Sequence, residues 1–436
     1  MIRPKSKYIR IEEPRILKNR LLLSKISCSG NIEKYFQQKF FRVEYDSDIQ
    51  SVSTSILQIP VFSNLITVAW AVGADVHVRE LDRSYLESLN KIKLVLKKWY
   101  PRLPFSTHIY VEKTVSNKFS NQKYGLLFSG GVDSTTSYIR QKKKPNLMMV
   151  WGADIPLAEK GFWRKVKNRY KDFAKQENVE IDFIKTNLHE FIDEGPLNVD
   201  FGRYLTGSWW GSIHHGIGIL GLCAPVTVIK HIGTLLIASS TNIYPKVYPW
   251  GSHWVTDNKL SWADAKIVHD GYKLNRQEKI RRTLKNHIKN TGRYPLLRVC
   301  YSQFRDFNCS KCEKCCRTIT GLILENIDPN KCGFSIESNF FDFLKANLLK
   351  GEFIEYPGLP WYNIQRQASE TVNQNLYNSK EFFKWFRHFD IPNNTSKRKV
   401  NITWCLFYIY YKLPKNIRKL IAKLKPIAGF LISFQI

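Results

Sequence analysis

Short apolar segments alternate with stretches of helical spacing through the middle of the chain. Strands are predicted at 124–128, 147–151, 181–184, 235–238 and 296–299, and helices at 157–176, at 277–287 and from Ser134 onward. Strands buried on both faces have continuous apolar runs, and their alternation with helices predicts a parallel sheet covered on both sides. The middle of the chain is therefore predicted to be α/β.

The pattern changes on both sides of this region. Residues 1–120 contain alternating segments and one helix, which Asp82 is predicted to cap and which runs to Lys98 with an apolar stripe on one face. After Ile336 the spacing is mostly helical. Three parts are predicted: an accessory α+β domain at 1–120, the α/β domain at 121–333, and a basic, mostly helical extension at 334–436.

The composition is that of a folded protein. The 436 residues are 43% hydrophobic and 14% aromatic, which excludes a disordered or fibrous chain and suggests two or three domains. The opening MIRPKSKYIRIEEPR is basic but lacks the apolar stretch of a secretory signal. We predict a cytoplasmic protein without a transmembrane segment.

The net charge of +30 is larger than binding a small nucleotide requires. It makes nucleic acid or another acidic macromolecule a candidate partner. No acidic residue follows Asp390, and the basic tail also carries an apolar stripe formed by Ile417, Leu420, Ile421 and Leu424. Docking on a partner protein, on a membrane surface or on the chain's own core all fit this stripe.

A glycine-containing turn follows the first predicted α/β strand. It reads Ser129-Gly130-Gly131-Val132-Asp133-Ser134 and leads into a helix. Adjacent glycines let backbone N–H groups approach an anion, and the N-terminus of the helix attracts negative charge. The turn therefore predicts a pyrophosphate site, although a plain strand-to-helix turn capped by Asp133 or Ser134 explains the glycines alone about equally well.

Five of the nine cysteines fall within a short segment near residue 310. Cys300, Cys309, Cys312 and Cys315 have the spacing C-x8-C-x2-C-x2-C. Four thiolates favour tetrahedral Zn²⁺ in a closed, structural site, and Lys311 and Lys314 are placed to offset its negative charge. An iron–sulfur cluster is the alternative, because Cys316 and Cys332 offer further ligands.

The two motifs together resemble a known family. SGGVDS is similar to the signature of the PP-loop ATP pyrophosphatases, and the downstream cysteine spacing, with NCSKCEKCCRT, is similar to that of the QueC family of 7-cyano-7-deazaguanine synthases. The resemblance runs from about residue 124 to 325, and the flanking segments are departures from it. Longer members of this kind occur in bacterial antiviral defence.

The resemblance implies an activity and a set of site residues. A QueC-like enzyme uses ATP and Mg²⁺ to adenylate a carboxylate, here 7-carboxy-7-deazaguanine, and passes the acyl group to ammonia or to an amine on a partner protein. Residues 129–134 would hold the pyrophosphate, and Asp133 would orient the loop or help to hold Mg²⁺. Arg276 and Lys279, close together at a helix start, are candidate phosphate ligands, although an ordinary basic helix face explains them as well.

Other polar residues carry weaker expectations. Asp264, His269 and Asp270 suit a purine-binding edge or the ordering of Mg²⁺, and a solvated loop explains them equally well. The pairs Trp209-Trp210 and His214-His215 have the spacing of a core helix, so we expect packing and no metal role.

Two other functions remain open. Thiolation of tRNA by a PP-loop enzyme suits the basic charge but needs a catalytic cysteine, and the metal cluster uses the clustered ones. A non-catalytic basic zinc-containing module that binds nucleotide or nucleic acid would show salt-dependent affinity without AMP release.

Overall fold

The structure is a computed structural model that describes residues 7–119, 123–240, 249–300, 304, 306–354, 359–371, 376–391, 413 and 417. The apolar stripe predicted in the basic tail lies outside these residues, apart from Ile417. The chain folds as two units: Met1–Ser129 with Gln141–Lys273, and Gly130–Arg140 with Leu274–Ile436. The predicted boundary near residue 120 does not coincide with this division.

All strands within the described residues belong to the first unit. They are β1 Tyr8–Ile11, β2 Arg15–Leu17, β3 Leu21–Cys28, β4 Phe40–Tyr45, β5 Asp75–Asp82, β6 Ile109–Val115, β7 Lys123–Leu127, β8 Asn146–Trp151, β9 Ile181–Thr186, β10 Ile232–Ala238, β11 Ser261–Trp262 and β12 Ala265–Asp270. They form one sheet in the order β11-β12-β10-β7-β8-β9-β4-β3-β1-β5-β6, and β2 pairs with β3.

The central five strands have a doubly wound arrangement. Strands β9, β8, β7, β10 and β12 are mutually parallel neighbours. The chain starts at β7, moves outward to β8 and β9, and then returns to the other side for β10 and β12. The order reverses between β7 and β10, which is the switch point where such sheets place ligands beyond their carboxyl ends.

The N-terminal strands extend this same sheet. Strand β4 pairs antiparallel with β9, with Tyr45 opposite Ile184, and β3, β1, β5 and β6 follow outward. Residues 1–120 do combine helices with strands, but they do not form a sheet of their own. The sequence pattern shows which segments are strands and not which strands pair, so a boundary at residue 120 could not account for the β4–β9 pairing.

The helices are divided between the two units. They are α1 Thr54–Leu57, α2 Ile59–Val72, α3 Arg83–Trp99, α4 Val132–Arg140, α5 Lys160–Glu177, α6 Leu188–Phe191, α7 Glu194–Phe201, α8 His215–Leu222, α9 Ala224–Ile229, α10 Trp254–Asp257, α11 Arg276–Lys279, α12 Lys285–Thr291, α13 Glu313–Leu324, α14 Phe340–Leu349, α15 Leu359–Glu370 and α16 Lys380–Phe386. The predicted cap of α3 is confirmed, because Asp82 Oδ1 accepts from the Tyr85 N–H at 3.0 Å.

The second unit has a mainly helical core. Helices α13 to α16 bury a cluster that includes Ile319, Leu344, Trp361 and Phe383. The predicted strand at 296–299 is wrong, because this segment has no strand assignment. Its N–H groups bond to loops instead: Leu297 donates to the Cys332 carbonyl and Arg298 to the Gly130 carbonyl. The α/β class, the mostly parallel sheet and the helical C-terminal region are confirmed.

One helical stretch bears on the prediction of no transmembrane segment. Trp210–Ile229 is long and apolar enough to span a membrane, and 83% of its apolar 18-residue segment is buried inside the fold. Glycines and two histidines interrupt this run, and the sequence prediction overlooked it. The core helix of a soluble protein has the same properties, so the stretch is weak evidence for a membrane.

Candidate functional site

The glycine loop joins the carboxyl end of β7 to the start of α4. Gly130 has a φ of 76°, a left-handed conformation that glycine adopts without steric cost. Its carbonyl accepts from the Arg298 backbone N–H at 2.8 Å, and the Gly131 carbonyl accepts from Thr135 at 3.0 Å to close the first helical turn. The first N–H groups of a helix are not used by its own hydrogen bonds, so this end of α4 suits an anion.

Asp133 and Ser134 do not act as simple helix caps. Helix α4 already begins at Val132, which is buried in the core of the second unit. Asp133 and Ser134 therefore lie inside the first turn, where the Ser134 hydroxyl bonds back to the Gly131 carbonyl at 3.3 Å. Neither residue therefore occupies the N-cap position of α4.

Asp133 instead forms an ion cluster with the two cations that the sequence singled out. Its Oδ2 accepts from Arg276 Nη2 at 2.6 Å and from Nε at 3.2 Å, while its Oδ1 accepts from Lys279 Nζ at 2.9 Å. The Lys279 side chain is 1% exposed, and those of Asp133 and Arg276 are 16% and 22% exposed. These three residues, all in the second unit, are the Asp133 ion cluster.

Local structure explains why Arg276 and Lys279 face the same carboxylate. Asn275 caps α11 through a capping box with Glu278, which fixes where the helix starts. Positions three apart then lie on one face, so both cations point in the same direction. A π-helical turn at Ile280–Leu284 follows directly, a feature that often occurs at functional sites.

The charges of this cluster hold Asp133 ionised. Burial alone would raise the pKa of Asp133, but the charges of Arg276 and Lys279 and their hydrogen bonds outweigh it and hold that pKa well below its usual value. Burial lowers the pKa of Lys279, while the Asp133 carboxylate opposes this shift. Both carboxylate oxygens are occupied by cations, which favours a positioning role for Asp133 over direct Mg²⁺ binding.

The four predicted metal ligands meet in the second unit. The sulfur atoms of Cys300, Cys309, Cys312 and Cys315 all lie within 4.8 Å of one another. The Cys300–Cys312 and Cys309–Cys315 sulfur pairs are each 3.9 Å apart. Tetrahedral zinc with Zn–S bonds of about 2.3 Å sets its sulfurs about 3.8 Å apart. The cluster can therefore hold a metal ion such as zinc.

The four cysteines fit one metal ion in a closed site better than they fit an iron–sulfur cluster. Sulfurs this close leave no room for several iron and sulfide ions. Cys316 and Cys332 are buried and stand outside the four-sulfur group, and burial raises the pKa of Cys332 to about 12. Hydrogen bonding with Cys300 and the other cluster thiols, and then burial, raise the pKa of Cys315, so its thiolate is disfavoured unless a cation is bound. A cation removes that penalty.

The loop that carries the cysteine cluster is stabilised by hydrogen bonds between the Asn308 side chain and backbone groups. Asn308 Oδ1 accepts from the Val299 N–H at 2.9 Å, and its amide donates to the carbonyls of Leu297 and Gly333. Lys311, predicted to offset the thiolate charge, pairs with Glu337 at 2.7 Å and is largely exposed. Asn308 is a structural residue that the sequence prediction of metal ligands did not identify.

Sequence analysis also missed a buried acid–imidazole pair in the first unit. His269 lies in strand β12 and is 1% exposed, so it is not part of a solvated loop. Its Nδ1 is 2.8 Å from Oδ2 of Asp257, which is 3% exposed. Asp264 is exposed and accepts from the Phe119 N–H. Asp257 and His269 are 12 positions apart, so no local spacing pointed to this pair.

The other predicted core residues are where packing was expected. Trp209 is fully buried in the hydrophobic core of the first unit, and His214 Nε2 donates to Asn64 Oδ1 at 3.1 Å. The interpretation as core is confirmed for Trp209 and His214, whereas Trp210 and His215 are partly buried.

No family model, curated protein or solved structure matches the chain.

Proposed function

We propose that this protein is a QueC-like enzyme of the PP-loop class, which cleaves ATP between the α and β phosphates and adenylates a carboxylate. The observation that carries the proposal is the joint placement of a left-handed glycine loop, a helix N-terminus and the Asp133 ion cluster within a few residues of one another. The strand before the loop occupies the switch point of a doubly wound sheet.

The loop residues 129–134 bind the β and γ phosphates that leave as pyrophosphate. Backbone N–H groups at the start of α4 supply the anion contacts. The sequence lacks the lysine of a Walker loop, so cleavage at the γ phosphate is disfavoured. Mg²⁺ supplies charge neutralisation on the triphosphate when it is bound.

Arg276 and Lys279 provide positive charge beside the loop. Two cations face the carboxylate of Asp133 in this cluster. Asp133 fixes the direction of both side chains, so the site does not reorganise when negative charge develops on the phosphates. Lys279 is buried, and its attraction to a phosphate is therefore screened less than that of a surface lysine.

The resemblance to the QueC family supplies the substrate. A carboxylate becomes reactive when AMP replaces its oxygen as a leaving group, and 7-carboxy-7-deazaguanine is the acid that this family activates. Ammonia or an amine on a partner protein then accepts the acyl group. The zinc cluster is structural in this proposal, because four thiolates leave no open coordination position.

The test uses the full chain with ATP, Mg²⁺ and 7-carboxy-7-deazaguanine. We expect AMP and pyrophosphate in equal amounts, together with exchange of labelled pyrophosphate into ATP that depends on the acid. Asp133→Asn should reduce exchange at least 100-fold, whereas Asp172→Asn on the exposed face of α5 should not alter it. Release of ADP and phosphate, or no acid-dependent exchange, would refute the proposal.

The net charge supports a second candidate, a zinc-containing module that binds nucleic acid. A surplus of thirty positive charges exceeds what adenylation needs. RNA affinity that falls steeply with salt, without any AMP release, would favour this candidate over the enzyme.

A further inference from the structure

The outer part of the sheet in the first unit has one face open to solvent. Along β1 and β4 buried and exposed residues alternate strictly, which is the pattern of a sheet with one face in the core and the other in water. The exposed side carries three aromatic rings, since Tyr8 is 38% exposed, Phe40 41% and Tyr110 51%. Apolar groups that cluster on an exposed face with polar groups around them mark an interaction site.

Strand register places these rings on the same side of the sheet. Arg10 of β1 lies opposite His77 of β5, and His77 lies opposite Tyr110 of β6. Residues in such a row point to one side, and the rings of His77 and Tyr110 stack with their centroids 4.8 Å apart. Tyr8 lies two positions before Arg10 in β1 and therefore shares its side.

Strand β3 connects this row to Phe40. Ser27 lies opposite Arg10, and Lys25, two positions earlier, lies opposite Phe40. With neighbouring strands about 4.8 Å apart, the four intervals from β6 to β4 separate Tyr110 from Phe40 by about 19 Å across the sheet. A single nucleobase is much smaller than this distance. The open sheet face is formed by Tyr8, Arg10, Phe40, His77 and Tyr110.

Helix α5 covers the same side of the sheet farther along. Trp163 of α5 packs edge-on against Phe183 of β9, with ring centroids 5.8 Å apart. Lys185 lies two positions beyond Phe183 on the same side, and it is opposite Glu44 of β4, with which it forms an ion pair of 2.9 Å. Phe40 lies four positions before Glu44, so it also points to this side. The open sheet face therefore begins where α5 ends its cover.

Helix α5 presents a row of cations on the flank beside this face. At 3.6 residues per turn, positions 160, 164, 167, 171 and 175 fall within about 80° of the helix circumference, and all are lysine or arginine. Both acidic residues of the helix, Asp172 and Glu177, lie outside this arc. At one margin of the arc Lys167 pairs at 3.0 Å with Asp46, which directly follows β4. The α5 basic stripe is formed by Lys160, Arg164, Lys167, Lys171 and Lys175.

Most of the stripe has no carboxylate partner. Among the described residues, Lys167 is the one member that forms an ion pair, and the other four are exposed. Over fifteen residues, at about 1.5 Å of rise for each, the stripe is about 22 Å long. A row of uncompensated cations of this length fits a polyanion better than a small anion.

Single-stranded nucleic acid fits both features. Its bases offer flat faces to aromatic rings, and its phosphates offer repeated negative charge to lysine and arginine. An open sheet whose exposed aromatic residues stack two or three bases is one of the established ways in which proteins bind single-stranded RNA. The open sheet face supplies the rings, and the α5 basic stripe supplies the cations.

Other occupants fit less well. A membrane-binding helix inserts apolar side chains, but the apolar residues of α5 are buried and its basic stripe contains none. The C-terminal tail of the chain is basic, and a second copy of the chain carries the same net charge of +30. Like charge therefore disfavours both as occupants of this surface.

We propose that the open sheet face and the α5 basic stripe together bind single-stranded nucleic acid, with bases stacked on the three exposed rings and phosphates along the stripe. Both features belong to the first unit, whereas the cysteine cluster belongs to the second, so the zinc site takes no part in this binding. The inference goes beyond the adenylating function and does not depend on it.

Fluorescence anisotropy of a labelled single-stranded RNA of about 20 nucleotides, titrated with the full chain, measures the binding. If each of the four unpaired stripe cations neutralises one phosphate, the affinity should fall about 50-fold between about 50 and 200 mM KCl. The same sequence as a duplex should bind about fivefold more weakly or worse, because its bases are already stacked on one another.

Tyr110→Ala tests the aromatic rings. It should weaken RNA binding about fivefold or more without a change in the salt dependence, because it removes a stacking surface and no charge. Tyr110→Phe keeps the ring and should stay within about twofold of the wild type. Tyr110 is exposed, so neither substitution opens the core, and both variants should retain pyrophosphate exchange.

Lys171→Gln combined with Lys175→Gln tests the stripe. The slope of log affinity against log salt should become shallower by about 1.4, or about 0.7 for each lost phosphate contact. Lys97→Gln combined with Lys98→Gln removes the same charge from exposed positions of α3 and is the matched control. Its slope should differ from that of the wild type by less than about half as much.

Several outcomes would overturn the proposal. They are RNA affinity that Tyr110→Ala leaves unchanged, a stripe variant that behaves like its control, and a duplex bound as tightly as the single strand. Absence of RNA binding would overturn it as well. Binding to phosphatidylserine vesicles in its place would assign the surface to a membrane, and a dimer that Tyr110→Ala dissociates would assign it to a second copy. None of these results bears on adenylation, which pyrophosphate exchange tests separately.

Discussion

Acidification should destabilise the first unit through His214, and the size of this effect follows from its surroundings. His214 is fully buried, and its Nε2 donates to Asn64 Oδ1. The Asn64 amide is committed to the carbonyls of Pro60 and Gly218, which fixes its oxygen as the acceptor. Nδ1 of His214 has no hydrogen-bond partner within the described residues. A proton placed there would have neither water nor an acceptor.

The direction of the pH dependence follows from the two pKa values of His214. Burial, followed by the nearby His189 and His215, lowers the pKa of His214 from 6.5 to about 3 in the folded protein. Between these values the unfolded chain binds a proton and the folded chain does not, so stability is lost as pH falls below 6.5. From pH 7 to pH 5 the loss from this one group is about 2 kcal/mol.

Urea unfolding at pH 7 and pH 5, followed by tryptophan fluorescence, measures this effect. His214→Gln keeps a donor for Asn64 but cannot titrate, so its stability should fall about 2 kcal/mol less than that of the wild type. At a slope of about 2 kcal/mol per M urea this is a difference of about 1 M in the midpoint shift. His108→Gln, which changes an exposed histidine, should behave like the wild type. Equal pH dependence in wild type and His214→Gln would refute the reasoning.

The remaining predictions concern the second unit and the loop. Cys309→Ser should abolish zinc binding, whereas Cys316→Ser should retain one zinc per chain; elemental analysis decides, and zinc lost from both variants would contradict the ligand set. Asp133→Asn should cost about 3 kcal/mol of unfolding free energy, because it removes a carboxylate partner from the buried Lys279, while Lys279→Met should cost less; denaturant titration that gives the reverse order would contradict this. Gly130→Ala should lower stability by about 1 kcal/mol, since alanine is strained at a φ of 76°, and no change in the melting temperature would show that the backbone relaxes.

Local features of the chain were predictable because each depends on a few neighbouring residues. The buried strands β7 to β10, the capped helix α3 and the four clustered cysteines follow from hydrophobic periodicity, a capping side chain and ligand spacing. Helix α11 and its two cations were also found near where they lie, because positions three apart on a helix share a face.

Contacts between distant parts of the sequence were not predictable in the same way. The pairing of β4 with β9, and the bond from Asp257 to His269, join segments whose local patterns are unremarkable. The segment 296–299 reads as a strand because it is apolar, yet its N–H groups bond to loops. Hydrophobicity reports burial, and it does not specify the hydrogen-bonding partner.

The Asp133 ion cluster shows that residue types suggest possible roles and that three-dimensional contacts are needed to choose between them. The motif left two roles open for Asp133, loop orientation or Mg²⁺ binding, and residue types alone could not separate them. The contacts favour orientation, because a carboxylate that already accepts three N–H groups from Arg276 and Lys279 has fewer lone pairs left for a metal. If Asp133 instead bound Mg²⁺ directly, the metal would compete with those two cations for the carboxylate and weaken charge-assisted hydrogen bonds in a largely buried setting. In the proposed phosphate site Asp133 keeps both side chains aligned, so binding requires no such loss.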